Sequence, residues 1–117
     1  MISSKKGYRK EYLARQQLVQ EGWEIVFKSI RNRFGCIDYA GLFDICVYKG
    51  QDRKFISCKH FGNSNYYLPH QEEIKKFKET YGKEGESYEL WIWASPRWVG
   101  RGDEKEWRKS KWIKIIL

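Results

Sequence analysis

Three charged residues occupy positions where the sequence pattern predicts inward-facing side chains: Glu11, Asp44 and Lys59. A carboxylate that faces the interior costs free energy unless a cation meets it. Two carboxylates at the edge of a sheet offer hard oxygen ligands suited to Mg²⁺ or Mn²⁺. A lysine beside such a metal can orient a water molecule and offset charge that develops on a phosphate. These residue types are therefore suited to phosphodiester hydrolysis.

The same residues allow a second interpretation without any catalysis. Asp44 and Lys59 would form a cross-strand ion pair, and Glu11 would meet a basic neighbour. The sequence pattern leaves both interpretations open.

Glu11 lies in the first predicted element. A helix is predicted over residues 5–21, ended by Gly22, and Glu11 shares a face of it with Ala14 and Leu18. A short strand is predicted over 23–27, followed by a basic loop over 28–35.

Asp44 and Lys59 belong to a predicted hairpin, with strands over 42–48 and 53–59 and a loop over 49–52. In this register Asp44 lies opposite Ser57, and Lys59 is its diagonal neighbour on the same face. The other face then forms an apolar core of Phe43, Ile45, Val47, Ile56 and Cys58.

The remaining chain predicts a loop over 61–68, a helix over 69–81 and a strand over 88–94 that is buried on both faces. A polar loop over 95–106 and a last strand over 112–117 follow. The order α-β-β-β-α-β-β predicts one α/β domain over residues 1–117, a mixed β-sheet flanked by helices.

The charge distribution favours a polyanionic partner, nucleic acid first. The net charge is +8, divided as +5 over residues 1–35, −1 over 36–95 and +4 over 96–117. The alternative is that the basic residues only solubilise a small domain. The candidate phosphate contacts are Lys5, Lys6, Arg9, Arg31, Arg33, Arg97 and Arg101.

Several classes of protein are not expected. The N-terminus lacks the apolar stretch of a signal peptide, and no apolar run is long enough to span a membrane. An aromatic content of 17% argues against disorder. The odd number of cysteines, Cys36, Cys46 and Cys58, favours reduced thiols and an intracellular location.

Four segments carry a family resemblance: Gly7-Tyr8-Arg9-Lys10-Glu11, Gly22-Trp23-Glu24-Ile25-Val26, Phe43-Asp44-Ile45 and Ile56-Ser57-Cys58-Lys59. Together they resemble the PD-(D/E)XK nuclease superfamily and, in spacing and size, the archaeal and viral Holliday junction resolvases. The resemblance implies a restriction-endonuclease-like fold and a homodimer. It also implies metal-dependent cleavage of four-way DNA junctions in recombination and repair, in the cytoplasm of a prokaryotic or virus-infected cell.

The resemblance also implies roles for individual residues. Glu11 and Asp44, with the backbone carbonyl of Cys58, would hold Mg²⁺ or Mn²⁺, and Lys59 would be the catalytic lysine. Ser57 occupies the catalytic position where the family usually has Glu or Gln.

The serine at position 57 leaves two questions open. Asp38 could substitute as a metal ligand, or it could be a turn residue in Asp-Tyr-Ala-Gly. The alternatives for the whole protein are a catalytically impaired nucleic-acid-binding module on the same fold, and a nuclease that acts on other DNA or on RNA.

Overall fold

The computed structural model describes residues 2–32, 35–60, 66–94, 97–100, 102–109 and 111–117. In chain order the elements are α1 (Ile2–Gln20), β1 (Glu24–Lys28), β2 (Ile30–Asn32), β3 (Gly35–Ile37), β4 (Ile45–Lys49), β5 (Asp52–His60), α2 (Leu68–Tyr81), β6 (Glu86–Ala94), β7 (Arg97–Val99), a 3₁₀ turn (Gly102–Glu104), β8 (Glu106–Arg108) and β9 (Lys111–Ile116). Within these ranges, no helix is both long and apolar enough to cross a membrane.

The principal sheet has five strands in the order β1-β4-β5-β6-β9. Strands β5 and β6 are parallel, and the other neighbouring pairs are antiparallel. The predicted α/β domain with a mixed sheet is therefore confirmed. Two of the predicted loops, over 28–35 and 95–106, differ from expectation, since each contributes to a small antiparallel ribbon, β2 with β3 and β7 with β8. Strands of three residues are too short for a hydrophobic period to reveal them.

The predicted hairpin register is confirmed. Ile45 pairs with Ile56 and Tyr48 with Arg53, which places Asp44 opposite Ser57. Lys49 and Asp52 also pair, so the loop is the two residues Gly50 and Gln51 rather than 49–52. Gly50 has a φ of 63°, the left-handed conformation that a tight two-residue hairpin requires.

The helices cover opposite faces of the sheet, and each face has its own core. The core between α1 and the sheet consists of Ala14, Leu18, Ile45, Val47, Ile56, Cys58 and Trp91. The core on the α2 face consists of Phe43, Cys46, Phe55, Ile74 and Tyr88.

The predicted apolar face is confirmed for Ile45, Val47, Ile56 and Cys58. It is wrong for Phe43, and the other face of the hairpin is not purely polar. Phe43 packs beside Cys46 and Phe55, away from Ile45. The reason is that Phe43 precedes the regular strand and lies in a turn bridged to Tyr39, where the alternation of a strand does not apply. The predicted polar residues Asp44, Ser57 and Lys59 are therefore confined to one end of the hairpin, and the face predicted to be polar also carries the buried residues Cys46 and Phe55.

Strand β6 is buried on both faces, as predicted. Tyr88, Leu90, Trp91 and Ile92 are each at most 1% exposed. Glu89 lies among them and is also buried.

Candidate functional site

The site lies at the end of the sheet where Asp44 enters β4. The Asp44 backbone N–H donates to the Ile56 carbonyl oxygen at 2.9 Å, and the Asp44 carbonyl accepts from the Ser29 N–H at 2.8 Å. These bonds fix Asp44, which directly precedes β4, between Ile56 on β5 and Ser29, which directly follows β1. Lys59 lies two residues beyond Ser57 on β5 and is partly buried.

Helix α1 brings Glu11 to Asp44, as the sequence predicts. Ala14 and Leu18 are fully buried against the sheet, and Glu11, on the same helical face, is 3% exposed. Its carboxyl group shares a hydrogen bond with the Asp44 carboxyl group. Two carboxyl groups can share a hydrogen bond only when one of them holds a proton.

Asp44 is buried among partners that do not neutralise its charge. Its Oδ2 accepts from the Cys58 N–H at 2.6 Å, and its Oδ1 lies 3.2 Å from the Ser29 hydroxyl. Burial is the largest cause that raises the pKa of Asp44, to about 7, and the nearby charges of Glu11 and Asp38 raise it further. The Cys58 N–H opposes the shift. The acid therefore holds a proton up to about neutral pH.

Asp38 joins this carboxyl cluster through a serine. The Ser29 hydroxyl lies 2.5 Å from Asp38 Oδ1 and therefore bridges Asp38 and Asp44. A hydroxyl has one hydrogen, so Ser29 donates to one acid at a time. The Asp38 carbonyl also accepts from the Gly41 N–H at 3.4 Å. The backbone of Asp38 thus forms the predicted turn, while its side chain points to the site.

Two lysines lie near the acids, and neither forms an ion pair with Asp44 among the described residues. Among the residues that the structure describes, Lys59 forms no ion pair with Asp44, so the cross-strand ion pair is wrong. Burial lowers the pKa of Lys10, whose charged neighbours include Asp44, Glu11 and Lys59. The sequence pattern gave no role to Lys10 beyond its place in the Gly7–Glu11 segment.

Ser57 is joined to a histidine that the motif does not predict. Ser57 is 1% exposed, and its Oγ lies 2.8 Å from His70 Nε2, in the first turn of α2. Burial and the Lys59 charge lower the pKa of His70, so its ring is neutral at pH 7. Thirteen residues separate the two in the chain, and no spacing rule links a strand residue to a residue in the first turn of a later helix.

The described thiols are unsuited to nucleophilic chemistry. Cys46 and Cys58 are free and buried. Burial raises the pKa of Cys46 to about 12 and that of Cys58 well above its ordinary value. Only the thiolate is reactive, so neither sulfur is a nucleophile near neutral pH.

The donor atoms for a metal ion are oxygens. Within the described ranges, no three His, Cys, Asp or Glu side chains come close enough to hold a metal ion. A ligand set of Glu11, Asp44 and the Cys58 carbonyl needs only two acidic side chains. Asp38 reaches Asp44 through Ser29 rather than directly.

The predicted phosphate contacts are placed only by their backbones. Lys5, Lys6 and Arg9 lie in α1, Arg31 in β2 and Arg97 in β7. Their side chains, together with residues Arg33 and Arg101, lie outside what the structure describes.

Comparison with models of known protein families gave no match, and comparison with curated protein sequences gave none either.

Proposed function

We propose that the chain is a metal-dependent endonuclease that hydrolyses phosphodiester bonds in branched DNA. The observation that carries the proposal is the hydrogen-bonded pair of Glu11 and Asp44 at the end of the sheet where Lys59 also lies, with Asp44 still protonated near neutral pH. A cluster serving stability alone would pair the acid with the lysine. A buried acid that serves as a metal ligand keeps its proton until the cation arrives.

Glu11, Asp44 and the Cys58 carbonyl would hold Mg²⁺ or Mn²⁺. Their oxygen chemistry fits a hard cation, and the carboxyl hydrogen bond between Glu11 and Asp44 shows that these acids are close together. A bound cation of this kind supplies an activated water and neutralises charge on a phosphate.

The other residues of the site have roles that follow from their positions. The Lys59 ammonium group would offset charge at the attacked phosphate, since it is not committed to Asp44. The neutral His70 ring would hold the Ser57 hydroxyl in one orientation. Ser57 and His70 would then together replace the acidic or amide residue that the superfamily has at this position.

The preference for branched DNA and the homodimer rest on the family resemblance and on charge. A four-way junction offers two symmetric cleavable strands, so paired cleavage needs two sites related by a two-fold axis. The net charges of +5 and +4 on the terminal segments are suited to phosphate contacts.

A catalytically impaired binding module is the second candidate. The observation that favours it is that Ser57 supplies a neutral hydroxyl already engaged by His70, instead of an acidic ligand. A nuclease that acts on other DNA or on RNA is a further form of the first candidate.

One experiment separates these candidates. The protein is incubated with Mg²⁺ or Mn²⁺ and, in parallel, with a four-way junction, plain duplex, single-stranded DNA and RNA. We expect junction cleavage that stops in EDTA. Binding without cleavage of any substrate would support the impaired module, and preferential cleavage of another substrate would contradict junction specificity.

A further inference from the structure

An open groove lies between α1 and the edge strand β9, on the α1 face of the sheet. Its volume is about 470 Å³, and its lining residues are Leu13, Gln17, Trp93, Lys111, Trp112 and Lys114. The lining contains two tryptophans, two lysines and no acid. This composition differs from that of the acidic site.

The strand registers place this groove at the same end of the sheet as the candidate site. His60, the residue after Lys59, pairs with Trp93, and Trp93 pairs with Trp112. On the helix side, Leu13 lies two residues after Glu11. A strand of nucleic acid that passes the site toward this edge of the sheet therefore meets the groove next.

The groove offers both an aromatic surface and cations. The Trp93 and Trp112 rings meet nearly edge to face, with centroids 5.0 Å apart, and both are only partly buried. Lys111 and Lys114 are exposed, and Lys114 Nζ lies 4.1 Å from the centroid of the Trp91 ring. Aromatic rings beside lysines are suited to stacking an unpaired base while the cations contact its phosphates.

We propose that this groove binds an unpaired nucleotide segment next to the cleaved phosphate. The inference rests on the proposed nuclease function and specifies its substrate, a DNA with unpaired nucleotides beside the cleavage point. Bases in a continuous duplex are stacked on each other, so their faces are closed to Trp93 and Trp112. The groove would therefore favour an open branch point over uninterrupted duplex.

The test measures binding in EDTA, where cleavage cannot interfere. Fluorescence anisotropy compares three labelled 12-mers: single-stranded dT12, an abasic strand with the same phosphates, and a blunt duplex. We expect the wild-type protein to bind dT12 about tenfold more tightly than the abasic strand, within the range for one stacked base. Trp93→Leu should remove that difference.

Charge is tested separately because a tryptophan substitution can disturb packing. The double variant Lys111→Glu/Lys114→Glu should weaken dT12 binding at least tenfold and lower the salt slope by about 1.4 if each lysine meets one phosphate. Lys75→Glu/Lys76→Glu, on exposed positions of α2, makes the same charge change on the opposite face. Trp23→Leu is the matched aromatic control, since Trp23 lies under Lys49 and Lys54 near the other end of the sheet.

The inference is wrong if wild-type protein does not bind dT12, binds the abasic strand equally well, or loses no more affinity through the groove variants than through their controls. The cleavage assay with Mn²⁺ keeps the two proposals apart. If the groove variants cleave DNA as fast as wild type, the proposed role of the groove is wrong and the proposed nuclease function is not. If the protein binds dT12 through the groove but cleaves no substrate, the proposed nuclease function is wrong and binding by the groove is not.

Discussion

Two buried carboxylates in the same sheet have opposite surroundings. Glu89 on β6 is 3% exposed and fully partnered: Lys54 Nζ lies 3.4 Å from it, the Trp91 indole N–H donates at 2.9 Å and the Ser87 hydroxyl donates at 3.0 Å. Asp44 is 8% exposed, and its neighbours include two further acids, Glu11 and Asp38.

The comparison separates a structural acid from a candidate functional one. Glu89 has its cation and its hydrogen-bond donors from within the chain, which is how folded proteins make a buried charge tolerable. Among the described residues, Asp44 has no ion-pair partner, and its pKa is raised to about 7. A perturbed acid with like-charged neighbours is characteristic of a site completed by a ligand.

Removing the charge of each acid in turn should have very different effects on cleavage. Asp44→Asn should lower the cleavage rate by about 10³-fold or more, because it removes a metal ligand as well as an electrostatic contact. Glu89→Gln, the matched change at the structural acid, should leave the rate per folded molecule near that of wild type. Single-turnover cleavage in Mn²⁺ measures both, and equal losses in the two variants would abolish the distinction.

The lysines associated with the two acids should differ in the same way. Lys59→Ala should lower the cleavage rate by about 10²–10³-fold, the usual loss when one contact to developing charge is removed. DNA affinity should change little, since it is spread over many basic residues. Lys54→Ala is the control, because Lys54 is paired with Glu89. A wild-type rate in Lys59→Ala would show that Lys59 has no catalytic role.

Stability should change in opposite directions at the two acids. In the metal-free protein at pH 8, Asp44→Asn should raise the free energy of unfolding by about 2 kcal/mol. A pKa raised from 3.8 to about 7 sets an upper limit of roughly 4 kcal/mol, and the amide loses one acceptor oxygen. Glu89→Gln should lower it by about 1–3 kcal/mol, because a charged acceptor with three partners is replaced by a neutral group.

The pH dependence gives the sign of the Asp44 effect. Between pH 3.8 and about 7 the folded chain holds a proton on Asp44 that the unfolded chain releases, so stability falls as pH rises through this window. Asp44→Asn lacks that loss. The difference in free energy of unfolding between variant and wild type should therefore grow from pH 3.8 to about 7 and stay constant at higher pH. The lowered pKa of His70 has the opposite effect, since it makes stability rise with pH below the ordinary histidine pKa of 6.5. This effect is the same in the wild type and in Asp44→Asn. Urea unfolding at pH 4 and pH 8 measures the difference. A variant less stable than wild type at pH 8 would indicate a stabilising ion pair at Asp44 instead.

The smallest effect should come from Ser57 and His70, because this pair occupies the place of an acidic or amide residue without adding a charge. Ser57→Ala and His70→Ala should each lower the cleavage rate about tenfold, in the lower range for residues that orient a metal site. The double variant should be no slower than either single one, because the two side chains are joined by one hydrogen bond. Fully additive losses in this double-mutant cycle would show that they do not act as a pair.

The sequence predicts the backbone of the candidate site better than its contacts. Helical spacing placed Glu11 with Ala14 and Leu18, and the hairpin register placed Asp44 opposite Ser57. Both predictions follow from the regular spacing of side chains along one helix or one hairpin, which involves only residues that are near each other in the chain. Phe43 shows where this reasoning stops, since the turn at Tyr39 lies outside any regular period.

Contacts between segments that are distant in the chain could be identified only from the folded structure. His70 meets Ser57 only after α2 packs on the sheet, and Ser29 bridges two acids from the end of β1. Glu89, by contrast, could have been found, because a single acid in a strand that is buried on both faces needs a cation as much as Glu11 does. Its partner Lys54 lies on the adjacent parallel strand.

Metal binding by Asp44 is tested by titration calorimetry with Mn²⁺ at pH 6 in two buffers of different ionisation enthalpy. We expect metal binding by the wild-type protein with release of close to one proton, since Asp44 with a pKa of about 7 must ionise to become a ligand. Asp44→Asn should lose this binding and Glu89→Gln should retain it. Absence of Mn²⁺ binding by wild type, or equal binding by Asp44→Asn, would show that Asp44 is not a metal ligand.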